Sequence, residues 1–232
     1  MANATRNTAS RDPPRLSAHD ACFATVLVGE ERKRFIVHKD LLTYHSEFFR
    51  SALSGNFKEA AEQTVPLPED DPDTFEFFVH WLYHKDLPMK DNASTDLLQD
   101  WTSEDNGGNL EKRNLIELHV FADRYRVEKL KVRTLEALFR YVQKNDVTLP
   151  SNRLICYAYE NMPAGSGLLT LLVDVWCKYV EAEEWKDDDT EQLPSPFLIS
   201  VLKCLTDGAR GKIKVRAALE LSKYLPPESD GQ

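Results

Sequence analysis

The 232-residue sequence predicts an α+β fold, a small sheet flanked by a helical cluster and followed by an all-helical C-terminal extension. Three observations predict it. Thr25 to Val28 and Arg34 to Val37 alternate along the chain on either side of Gly29-Glu30-Glu31, the pattern of a small hairpin. Phe75, Phe78, Val79 and Leu82 stand at i, i+3, i+4 and i+7, and Phe77 and Trp81 add apolar area elsewhere around the same helix, which makes it a central one. Past Asn145 the helical spacing continues in Leu154, Ile155, Ala158 and Met162, then in Leu168, Leu171, Leu172, Val175 and Tyr179.

Taken in order, Met1 to Asp20 is polar and carries Pro13-Pro14, so burial cannot offset the entropy of ordering it; a disordered arm is expected over 1–20. In the hairpin Val26, Val28, Phe35 and Val37 should share the buried side. His38-Lys39-Asp40 then joins strand to helix, and two compact helices follow, through Leu42 and through Phe49 and Leu53. A second short strand comes at Val65 to Leu67, and a helix is opened by Asp71 as N-cap with Pro72 at its first position. The turns between these segments are too short for separate structures.

From about 86 to 113 the pattern lapses into a long loop with Pro88, charged residues and Gly107-Gly108. Within it Leu97, Leu98 and Trp101 fit one turn of helix, either covering an edge of the core or forming a partner-binding loop. Leu115, Leu118, Ala122 and Tyr125 mark one further helix, and Leu135, Leu138, Phe139 and Val142 a second, joined near Arg126-Val127-Glu128. The expected division is a domain over 21–146, a helical extension over 147–225 and a disordered tail over 226–232. In the extension, Glu181 to Glu191 reads as an acidic linker whose Asp187-Asp188-Asp189 is a solvated loop rather than a metal site. Ser195-Pro196 opens a helix with Leu198, Val201, Leu202 and Leu205, and a short basic helix is expected around Lys212 to Tyr224.

Hydrophobic residues make up 42% and charged ones 29%, which suits a soluble globular protein with a core. With 29 Lys plus Arg against 38 Asp plus Glu, the net charge of -9 repels a phosphate backbone, so nucleic acid is excluded as a direct ligand. No apolar run has the length of a signal peptide core or a bilayer span, so no membrane partner is expected and the location is cytoplasmic and/or nuclear. Cys22, Cys156, Cys177 and Cys204 lack Cys-x-x-Cys spacing, which argues against a zinc knuckle or a disulfide scaffold and for reduced thiols.

Catalytic and metal patterns are weak. His80 and His84 at i, i+4 could place two imidazoles on one helix face, but a third ligand and a neighbouring Glu are missing, so no metal is expected. No Gly-x-Ser-x-Gly elbow, phosphate-binding Gly-x-x-x-x-Gly-Lys-Ser/Thr loop or Gly-x-Gly-x-x-Gly turn occurs; neither an enzyme nor a cofactor is expected.

The first strand, His38-Lys39, Phe48-Phe49-Arg50, Phe57-Lys58-Glu59, Leu67-Pro68-Glu69-Asp70-Asp71-Pro72 and Trp81-Leu82-Tyr83 come in an order that closely resembles the BTB/POZ family. The resemblance is to the variety common in filamentous fungi and runs over roughly Ala24 to Asn145. It implies a non-enzymatic protein-protein interaction scaffold, most concretely a substrate adaptor of a cullin-based ubiquitin ligase. The alternative is a homo-oligomerisation or transcription-linked structural module without cullin binding. Such adaptors usually carry a separate substrate-binding domain such as a propeller, and none is visible in the sequence. By position Phe57 and Glu59 match the hydrophobic-x-Glu motif of cullin-binding members, and Tyr83 falls where the family places another contact residue. Phe57 follows Gly55-Asn56, where a helix should end, so its ring is either offered to a cullin groove or turned into the domain's own core.

Two departures bear on partners. Many members carry an Asp near the start of the first strand, which with a basic residue at the position of Lys39 forms a co-repressor groove; here Phe23 takes that position. Many also dimerise by exchanging an apolar N-terminal strand, whereas this arm is polar. A homodimer then rests on contact through the first helices.

Overall fold

The computed structural model of the chain describes residues 13–55, 57–102, 104–105, 108–143, 150–179, 192–211 and 218–227. The greater part of the expected arm, Asn56, the acidic linker with its Asp187-Asp188-Asp189, residues 212–217 and the end of the tail lie outside them. Contacts divide the chain into two compact units, Met1–Pro72 and Asp73–Gln232.

The first unit is built on a sheet of order β2-β1-β3. Strand β1 (Phe23–Val28) pairs antiparallel with β2 (Lys33–His38), Val26 facing Phe35 and Ala24 facing Val37. It pairs in parallel with β3 (Thr64–Leu67), Val26 facing Val65 and Val28 facing Leu67. Period-two alternation therefore puts Ala24, Val26, Val28, Val37, Val65 and Leu67 on one buried face. The turn between β1 and β2 needs positive φ at Gly29, 77°, and a Cβ there would also meet Pro72 Cγ at 3.3 Å.

Between β2 and β3 run α1 (Lys39–His45), α2 (Glu47–Ser54) and α3 (Lys58–Glu62). Leu41, Leu42, Phe49 and Leu53 are their buried residues. The buried Ser46 separates the first two helices and caps the second, its hydroxyl accepting from Phe49 N at 3.1 Å. The third helix corrects the expectation of two: it is only five residues long and buries nothing, so it left no apolar period to read.

The second unit is helical apart from the two-stranded β4 (Glu104–Asp105) and β5 (Gly108–Asn109). Helix α4 (Pro72–His84) buries Phe75, Phe77, Phe78, His80, Trp81 and Leu82, as a central helix must. It ends at Lys85, which takes the left-handed φ of 58°; its backbone N–H donates to Trp81 O at 2.8 Å and its ammonium to Leu82 O. The stretch expected as a loop over about 86–113 instead holds α5 (Thr95–Thr102) and the β4–β5 pair, and α6 (Leu110–Arg124) starts inside it. The turn read at Leu97, Leu98 and Trp101 belongs to α5, and Trp101 covers the core: it is buried, edge-on to Phe77 at 4.7 Å.

Helices α6 and α7 (Glu128–Tyr141) form an antiparallel pair. Arg126 at φ 53° and the Val127 N–H to Ala122 O bond of 2.8 Å close the first helix. In the extension α8 (Asn152–Asn161) packs on α6 and α9 (Gly167–Tyr179) on α7, and α10 (Ser195–Ala209) packs on α9. Ile155, Val173, Trp176, Cys177, Leu193, Phe197 and Val201 make the buried cluster of these helices.

The basic helix expected to run to Tyr224 is, in its described part, a 3-10 turn at Leu221–Lys223. Tertiary contact sets that turn. Tyr224 is buried with its hydroxyl donating to Asp174 Oδ2 at 2.8 Å, and a Cβ on Gly167 would lie 1.8 Å from the Tyr224 carbonyl oxygen.

His119 sits in the α6–α7 seam, 2% exposed, with Nδ1 3.0 Å from Thr134 Oγ1, whose own hydroxyl donates to Leu130 O. Burial, then the Lys131 ammonium, pull its pKa down to about 4 against the opposing pull of Asp123. The folded state thus holds the ring neutral while the unfolded chain protonates it at the ordinary value. Its contribution is complete above the unfolded pKa of about 6.5 and is lost as pH falls toward the folded value, on the order of 3 kcal/mol in all. Urea unfolding at steps from pH 7 to pH 4 should show this decline, and His119→Gln should flatten it. An unchanged slope in the variant would count against it.

Candidate interaction surface

Phe57 and Glu59 are brought together by the way α2 stops and α3 starts. Helix α2 ends at Ser54 with Gly55 extended at φ -88°, and Phe57, also extended, is the N-cap residue of α3. Its carbonyl accepts from Ala60 N at 3.1 Å and Ala61 N at 3.3 Å, which fixes the backbone beneath the ring. The ring itself is 64% exposed. One edge rests on Gly55, where a Cβ would come within 2.9 Å of Phe57 Cδ2, so the absent side chain sets the ring's direction. Glu59 is half-buried in the first turn of α3, where backbone N–H groups favour a carboxylate.

Tyr83 lies in the other unit, near the end of α4, and is 39% exposed. Phe23, at the start of β1, is 50% exposed and lies against His38 with ring centroids 4.4 Å apart, so both rings are engaged with each other at the strand-to-helix join. Ile36 stands on the same outer side of the sheet and is 57% exposed. Sequence reasoning did not single it out; its place opposite Thr25, out of phase with Val37, was the available signal.

The paired histidines are spent on packing. The His80 and His84 rings stack at 4.3 Å and 19°, so their in-plane lone pairs run side by side instead of converging. His80 is 8% exposed and its Nε2 has no hydrogen-bond partner among the described residues. Burial lowers its pKa and the neighbouring His84 lowers it further, against Asn92 and Asp86. Asp86, for its part, would be raised by burial, but Arg133 Nε at 3.0 Å and the Leu87 N–H at 2.8 Å hold it below the carboxylate range. Asn92 accepts from Met89 N at 2.7 Å and donates to Leu87 O at 3.1 Å, which ties its amide to the backbone. Among the described residues no group of three or more His, Cys, Asp or Glu is placed to hold a metal. No described helix is long and apolar enough to cross a membrane.

The setting of these residues is thus a three-stranded sheet with a parallel third strand, short helices between its second and third strands, and an exposed ring on the connection before the last of them. Residues 15–102 match the family model of the BTB/POZ domain, and the chain carries that domain followed by a helical region. Three relatives share the name "Kelch repeat and BTB domain-containing protein 4", from Pongo abelii, Mus musculus and Homo sapiens. Each is 29% identical over 76 residues, which is 33% of this chain, and the chain spans only about 15% of their length. These relatives are mammalian, so the fungal variety expected from the sequence has no counterpart among them.

Elemental analysis of protein purified without a His-tag should find transition metal well below one ion per chain, since two ligands without a third leave exchangeable coordination. A stoichiometric ion that disappears in His80→Ala would overturn this.

Proposed function

We propose that the chain is a non-enzymatic interaction scaffold that acts as an adaptor of a cullin-based ubiquitin ligase, with Phe57, Glu59 and Tyr83 contacting the cullin. The exposure of the Phe57 ring carries the reading: at 64% it is no part of the domain's own core, and its carbonyl is held by the first turn of α3. A rigid, outward aromatic beside a carboxylate is the arrangement that fills a partner groove and accepts one hydrogen bond. The BTB/POZ match over 15–102 supports it, because the family to which those words belong supplies such adaptors. The division into a domain over 21–146 and an extension over 147–225 belongs to the same reading, with the extension orienting a second protein.

Truncating an interface aromatic of this kind costs about 2 kcal/mol or more of binding, roughly thirtyfold in Kd. Phe57→Ala and Glu59→Ala should each weaken capture of a purified cullin N-terminal domain while the thermal midpoint stays nearly constant. Gly55→Ala, which pushes the ring from its seat, should weaken it too. Wild-type protein that captures no cullin at micromolar concentration would sink the assignment.

One observation favours the second reading, a homo-oligomerisation or transcription-linked module. Phe23 and Ile36 expose apolar surface on the outer side of the sheet, 50% and 57% respectively, and a second copy would cover it. Sedimentation equilibrium separates the two. Self-association abolished by Ile36→Ser, without cullin binding, would favour the module; a monomer across the micromolar range would remove it.

A further inference from the structure

Two thiols that lie far apart in sequence meet in the seam between α9 and α10. Cys177 is 4% exposed inside the buried cluster of the extension, and Cys204 packs against that same cluster while keeping part of its surface in solvent. The Cys177 thiol points at α10, donating to Val201 O at 3.9 Å, one helical turn before Cys204. Both cysteines are free, and Cys204 lies one turn beyond the carbonyl that receives the Cys177 thiol, packed on the same buried residues. The remaining two are placed differently. Cys22 is exposed and donates to Asp20 O at 3.6 Å, and Cys156 donates to Gln192 O at 3.1 Å.

We infer that Cys177 and Cys204 form a redox-modification site, a dithiol that a hydroperoxide converts to a disulfide joining α9 to α10. The order of events follows from access. Burial, and then Cys204 itself, hold the Cys177 thiol above the ordinary value, so the reachable Cys204 reacts first. Its thiolate attacks a peroxide oxygen; the S–O bond forms as the O–O bond breaks, and the departing alkoxide or hydroxide takes up a proton. Cys204 is then a sulfenic acid. The Cys177 sulfur attacks the Cys204 sulfur, the S–S bond forms, the S–O bond breaks, and the hydroxide leaves with the thiol proton as water. Two thiols and one hydroperoxide give one disulfide, one water and one alcohol or second water, with two electrons passing from sulfur to peroxide. Cys177 needs no high nucleophilicity for the second step, because its thiol already faces the turn of α10 that leads to Cys204. The bond would pin the helix that carries Trp176 to the one that carries Phe197, whose rings already meet at 5.5 Å.

The test uses the full chain, dilute, treated with hydrogen peroxide, then alkylated, digested and mapped by mass. A Cys177–Cys204 crosslinked peptide is expected in a chain lighter by two hydrogens, together with a raised thermal midpoint, all reversed by dithiothreitol. The same peptide should form in Cys22→Ser/Cys156→Ser and be lost in Cys204→Ser, a partly exposed position that tolerates the change. Stepwise oxygen adducts on Cys204 with Cys177 still alkylatable after brief unfolding, or crosslinks that run only through Cys22 or Cys156, would overturn the inference.

Discussion

Helix α4 has almost no solvent face, and the order of the Asp73–Gln232 unit follows from that. Phe75, Phe77, Phe78, His80, Trp81 and Leu82 point in too many directions for one neighbour to cover. Phe121 of α6 stands 6.0 Å from Phe75, 5.1 Å from Phe78 and 4.5 Å from Tyr125, while Trp101 of α5 closes over Phe77. Such ring pairs contribute about 0.5–1.5 kcal/mol each beyond the area they bury. Removing a buried ring such as Phe121 should cost about 3–5 kcal/mol, a large share of a domain's total stability. Along α4 solvent is met at Asp73 and Glu76 on its first turns and at Tyr83 and His84 at its end.

Where a side chain has a periodic neighbour, its fate was legible. Alternation in β1 and β2 placed Val26, Val28 and Val37 correctly, leaving Phe35 only half-buried at the margin. The spacing of Leu115, Leu118 and Ala122, and of Leu135, Leu138 and Phe139, marked the two antiparallel helices. What was hidden is non-periodic or non-local. Helix α3 has no apolar side to announce it. Of helix α5 one turn was legible, at Leu97, Leu98 and Trp101, but not the phenylalanine that its tryptophan meets. The terminal turn depends on Asp174 receiving both Tyr224 and Lys223, the latter at 2.5 Å. The thiol pair and the His119–Thr134 contact join helices that only folding brings together.

The surface proposed for a partner was readable as a motif but not as a geometry. From sequence the Phe57 ring could face either way, because a helix end licenses both a buried and an offered side chain. Extended backbone at Gly55 and at Phe57 turns it outward, and Gly55 gives the ring a seat without closing over it. The ionisable residues of the described fold tell a complementary story. The His80–His84 stack, the His119 seam and the Asp86–Arg133 pair are committed to packing and local bonding.

The most direct measurement places a photo-crosslinking phenylalanine analogue at position 57 of the intact chain, and separately at position 36, the exposed apolar residue of the outer sheet face. Each is irradiated in the presence of a purified cullin N-terminal domain. The account predicts a covalent adduct from position 57 and none from position 36. Equal adducts from both positions, or none from position 57 in protein that remains folded, would contradict it.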